Sequence, residues 1–154
     1  MPKISSPVQS LEPGAYSFLS CSEGQVLTNP TRLIGIYKAN GGFIGELAYV
    51  LGHMVGAREC NLCDITHSPI KKKSEFKKFE KTLRDEFGIE FRLAHMNERT
   101  PAELAASQGR EPCVLLEHSD GSMSMFLDYV ELKACDGRVS SFEKLVRSRL
   151  DFFL

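Results

Sequence analysis

From residue 31 onward, short apolar runs alternate with segments whose apolar residues recur every three or four positions, and turn residues mark each changeover. "TRLIGIYKA", 31–39, is a β-rich run closed by Asn40-Gly41-Gly42. In "FIGELAYVLGHMV", Phe43, Leu47, Val50, Leu51 and Met54 fall at helical spacing, Gly56 is a stop, and Glu46, Tyr49 and His53 share another face. Ser74 is positioned to cap a helix whose stripe is Phe76, Phe79, Leu83 and Phe87, ending at Gly88. "IEFRLAH" reads as a strand. Thr100, Pro101, Glu103 and Gly109 supply both ends of a short helix. "PCVLLEH" and "SMSMFLDYV" flank Ser119-Asp120-Gly121, and Met123, Met125, Leu127 and Tyr129 alternate, which predicts an antiparallel hairpin. Ser140 and Glu143 form a capping box before Phe142, Leu145, Val146 and Leu150. The predicted order is β, α, α, β, α, β, β, α.

Residues 1–30 are of a different kind, rich in proline, serine and glycine, and predict an arm or hairpin ahead of a single α/β domain over 31–154. A chain of 154 residues suits one domain, burying roughly two-thirds of the surface its unfolded form exposes. With 25% charged residues and a net charge of -1, no bulk field favours nucleic acid or a membrane surface. The N-terminal stretch lacks the apolar run of a signal peptide and no later segment is long enough to span a bilayer, so the expected setting is cytoplasmic. Thiols stay reduced there. The five cysteines are therefore not expected to form a structural disulfide framework, and Cys21 and Cys135 are expected to be structural.

That leaves "RECNLCDITHS", 58–68, with two cysteines and a histidine inside eight positions, as a redox pair, a metal clamp or two buried thiols beside an ordinary histidine. If residues 60–67 are helical, Cys60, Cys63 and His67 lie near one stripe, and a helix N-terminus near Cys60 lowers its thiol pKa. Both sharp chemistries need that thiolate. The run Lys71-Lys72-Lys73 with Lys77, Lys78 and Lys81 is interleaved with Glu75, Glu80 and Asp85, and Glu80–Arg84 is a helical pair, so a solvated face is expected.

The order of elements, with CxxC in the first helical region, is similar to that of thioredoxin-like proteins over roughly residues 31–150. The resemblance implies a central mixed sheet flanked by helices, with an extra helix, 43–55, before the motif. It places Pro112, the residue before a strand, against the redox pair. In such a sheet ligands gather at the carboxyl ends of parallel strands. That brings His95 and Glu98, at the end of "IEFRLAH", and Cys113, at the head of the returning strand, to the CxxC edge. The segment Cys60-Asn-Leu-Cys63-Asp-Ile-Thr-His67 also resembles a signature of short bacterial proteins, some labelled GTPase. No G-x-x-x-x-G-K-[ST] is present to cradle phosphates.

On the redox reading Cys60 attacks a disulfide or oxidised sulfur of a protein or small molecule, Cys63 resolves, and His67 or Glu98 moves protons, with no cofactor required. On the metal reading Cys60 and Cys63 supply thiolates, and His67 with His95 or Cys113 completes a tetrahedral set suited to Zn²⁺. A third possibility is an adaptor without chemistry, offering the N-terminal arm or "MSMFLDYV" as an edge to a partner strand.

Overall fold

The structure, a computed structural model, describes residues 29–38, 60–68 and 71–154. The arm through residue 28 with Cys21, and the predicted helix with Glu46, Tyr49 and His53, lie outside the described residues.

The described chain is a mixed α/β protein. Strands β1 (Pro30–Ile36), β2 (Glu90–Ala94), β3 (Cys113–His118) and β4 (Met123–Leu127) form one sheet in the order β2-β1-β3-β4. β1 runs parallel to β2 and antiparallel to β3, which in turn pairs antiparallel with β4. The carboxyl ends of β1 and β2 and the head of β3 therefore share one edge, where Ile36 pairs with both Ala94 and Cys113. β4 closes the other side of the described sheet.

Among the described residues five α-helices accompany the sheet: α1 (Asn61–Thr66), α2 (Ser74–Phe87), α3 (Pro101–Ser107), α4 (Tyr129–Ala134) and α5 (Val139–Leu150), with a 3-10 turn at Met96–Glu98. α1, α2, α4 and α5 place Leu62, Phe76, Leu132 and Phe142 in a core with Leu33, Val114 and Leu116. Rings of Phe76, Phe79, Phe91 and Phe142 pack there at centroid distances of 5.4 to 6.1 Å. The opposite face carries Ile34, Ile36, Ala94, Cys113 and Leu115, with Ala106 of α3 against it. Gly35 lets α1 approach: a Cβ there would stand 3.1 Å from Leu62 Cδ2 and 2.9 Å from Leu93 Cδ2.

Several local expectations shift. α2 begins at Ser74, but its N-cap is Lys73 and no side chain caps it. α5 likewise starts at Val139, ahead of the Ser140–Glu143 pattern, because Val139 is buried in the core. The hairpin ends at Leu127. Tyr129 belongs to α4, exposed, because Asp128 accepts from the Val130 and Glu131 amides at 2.9 Å and the Glu131 carboxylate returns to the Asp128 amide. Asp128→Ala should cost about 1 kcal/mol, read as a lower urea midpoint, while Asp128→Asn keeps most of the stability. Glu80 pairs with Lys72 at 2.5 Å, and no Glu80–Arg84 ion pair forms. Thr100 and Glu103 make the predicted capping box at α3, and Gly88 takes the left-handed conformation after α2.

Candidate functional site

α1 opens immediately after Cys60, the N-cap residue, whose carbonyl accepts from the Cys63 amide at 2.9 Å. One helical turn separates the two cysteines, and their sulfurs stand 2.6 Å apart as free thiols. The Cys60 thiol is drawn down to about 7, chiefly by the hydrogen bond from Cys63, with backbone amides of Lys38 and Cys63 adding to the effect against burial. A thiolate at Cys60 is thus accessible near neutral pH. The involvement of Lys38 fixes the pair at the carboxyl end of β1.

α1 ends at Thr66, and His67 has extended backbone with φ -125° and ψ 143°. His67 therefore leaves the helical stripe shared by the cysteines. Its Nδ1 stands 2.7 Å from Thr66 Oγ1 and 3.2 Å from the Tyr37 hydroxyl, which is itself 2.9 Å from Thr66 Oγ1. The chain then turns, with the Lys73 amide on the Thr66 carbonyl, and enters α2. Burial lowers the His67 pKa, helped by Lys72 and His95 and opposed by Glu80, which favours the neutral ring.

Tyr37, the residue after β1, joins these parts. It is 4% exposed, with its ring 5.2 Å from His95 and 6.1 Å from His67 between centroids. Its hydroxyl pKa is raised, first by burial and further by the charges of Cys63 and Cys60, against the Thr66 hydrogen bond. Neither Tyr37 nor Thr66 stood out in the sequence. The available signal was a polar-tipped aromatic at the carboxyl end of an apolar strand.

His95 lies at the same edge, packed on Tyr37, and Glu98 turns back to it: the carboxylate takes the His95 amide and Nδ1, each at 2.8 Å. Those bonds hold the Glu98 carboxyl below its usual range, the His95 amide first. Glu98 thus fixes His95. Cys113 reaches the edge but not the cluster. It points to the opposite face with Ile34 and Ile36, fully buried, its thiol pushed up to about 12 by burial. Pro112 precedes it through a cis peptide bond from Glu111. Cys135 packs in the main core, its thiol also raised by burial.

Among the described residues, no three His, Cys, Asp or Glu side chains are placed to hold a metal ion. The proposed tetrahedral set does not assemble there. His67 has left the helical stripe of the two cysteines, and Cys113 lies on the opposite face of the sheet. Of the neighbouring lysines, Lys72 pairs with Glu80, and Lys73 Nζ binds the carbonyls of Asp64 and Gly137.

The site is thus a thiol pair on a helix N-cap at the carboxyl edge of a four-stranded mixed sheet. No protein-family model, curated protein or solved structure matches the chain. No helix among the described residues is long and apolar enough to cross a membrane.

Proposed function

We propose that the protein is a cytoplasmic, thioredoxin-like thiol-disulfide oxidoreductase whose working groups are Cys60 and Cys63. The observation that carries this reading is the pair of sulfurs 2.6 Å apart with the Cys60 thiol drawn down to about 7. Cys60 thiolate attacks one sulfur of a protein or small-molecule disulfide, and the other sulfur leaves with the bonding electron pair. Cys63 then attacks Cys60 sulfur, closing a Cys60–Cys63 disulfide and releasing the second substrate thiolate. A second dithiol resets the pair by the reverse exchange. The strand order β2-β1-β3-β4, the helices on both faces and Pro112 at the head of β3 support the thioredoxin-like outline.

The test uses the full chain purified under reducing conditions, with metal content and free thiols measured before and after mild oxidation. Two of the five thiols should be lost and then recovered on reduction, and Cys60→Ser should abolish that change. About one equivalent of metal, lost in Cys60→Ala and His67→Ala, would replace this reading with a zinc-type site. No metal and no reversible thiol loss would leave an adaptor, for which β4, at one end of the strand order among the described residues, offers an edge.

A further inference from the structure

We propose that Thr66 is a positioning residue that fixes His67 as the Nδ1–H tautomer, leaving Nε2 as acceptor for the proton released when Cys63 closes on Cys60. The inference rests on the redox reading for the role of Nε2, but not for the tautomer.

The tautomer follows from counting protons. Thr66 Oγ1 has three short polar neighbours: the Leu62 carbonyl at 2.9 Å, the Tyr37 hydroxyl at 2.9 Å and His67 Nδ1 at 2.7 Å. A hydroxyl owns one proton, and the Leu62 carbonyl has none, so the first contact requires the Thr66 proton. The tyrosine then donates to Thr66. The third contact needs a proton that neither hydroxyl has left, and Nδ1 must supply it. Giving the Thr66 proton to Nδ1 instead would leave two bare oxygens 2.9 Å apart at Leu62. Thr66 is fully buried, away from bulk solvent, so leaving that contact without a proton carries the full cost of a buried unsatisfied group.

With Nδ1 protonated in a neutral ring, Nε2 carries the lone pair. Nε2 makes no hydrogen bond to any described residue, and the Tyr37 hydroxyl, 3.2 Å from Nδ1, also feels the charges of Cys63 and Cys60, so the ring and the thiol pair flank the same hydroxyl. In the closing step the Cys63 S–H bond breaks and its proton goes to Nε2. The Cys63–Cys60 bond forms, and the bond from Cys60 to the substrate sulfur breaks with its electrons on the departing sulfur. Nε2 returns the proton there. The oxidant is the substrate disulfide; starting from the Cys60 thiolate, the protein supplies two electrons and the one proton of Cys63, and the first sulfur to leave departs as a thiolate.

Two-bond proton–nitrogen correlations of the ¹⁵N-labelled, reduced full chain report the tautomer directly. The expected spectrum shows His67 protonated at Nδ1. Thr66→Val should move it toward Nε2–H and Thr66→Ser should restore Nδ1–H, a change that loss of packing alone would not reverse. His67→Gln should slow exchange with a small aromatic disulfide by about 100-fold, the lower end of a general base's contribution, and Thr66→Val should slow it less. Wild-type His67 protonated at Nε2 overturns the proposal even if Thr66→Val fails to fold. So does an unchanged rate in His67→Gln. The expected tautomer without reversible Cys60–Cys63 oxidation would instead overturn the redox reading, and the acceptor role with it.

Discussion

Between about pH 7 and pH 9 the reduced protein should gain about 2–3 kcal/mol of folding stability that Cys60→Ser does not gain. The Cys60 thiol lies at about 7 in the folded chain against an ordinary 9.0. In that window the folded chain binds fewer protons than the unfolded one, so stability rises with pH. The contribution is present in full above the unfolded value and disappears as pH falls through the folded value, where both states hold the proton. Cys113, Cys135 and Tyr37 act in the opposite sense. Burial raises all three, so their contribution is present below their unfolded values and is lost as pH rises above them. The comparison with Cys60→Ser, by urea denaturation under reductant at pH 6, 7, 8 and 9, isolates the Cys60 share. Cys63→Ala removes the largest single cause and should lose most of the gain as well. Parallel pH dependence in wild type and Cys60→Ser would show that Cys60 keeps an ordinary thiol.

Arg99→Ala should cost about 3–5 kcal/mol, the effect of leaving a charge buried without its partner. Arg99 and Glu111 form an ion pair with both side chains 7% exposed. The guanidinium also donates to the Met96 carbonyl at 2.8 Å and to Ser107 Oγ at 3.0 Å. These bonds tie the turn after β2, which carries His95 and Glu98, to the residue just before Pro112 and β3. Arg99→Leu combined with Glu111→Leu should recover much of the loss, because the pair then leaves no orphaned charge. The reading is the urea midpoint of the two single variants and the double. A loss below about 1 kcal/mol for Arg99→Ala would mean that water screens the pair as it does at a surface.

Both predictions concern the edge where the sequence placed the chemistry, yet its composition was only partly legible. Cys60 and Cys63 could be paired from spacing, since one helical turn brings i and i+3 together. The same spacing put His67 on their stripe, but the helix ends at Thr66 and extended backbone turns the imidazole to Thr66 and Tyr37. Ser74 and Ser140 have the residue type of a cap without the position. α5 is extended backward by the burial of Val139, which no capping pattern encodes. Asp128 and Glu131 show the opposite error: a capping box was present, but the alternation through Tyr129 masked it.

By itself the sequence determined whatever depends on neighbours along the chain: the α/β alternation, the α3 cap at Thr100, the stop at Gly88 and the turn-spaced thiols. Only the tertiary structure decided the face each edge residue takes. β1 and β3 are apolar on both sides, so no alternation marks their orientation. Pairing settles it. Cys113 lies opposite Ile36, and residues directly opposite in an antiparallel pair share a face, so Cys113 joins Ile34 and Ile36 while Tyr37 turns the other way toward the thiols. The Tyr37–Thr66 contact spans 29 residues. No local pattern encodes a contact of that span, because it exists only once α1 has docked over Gly35.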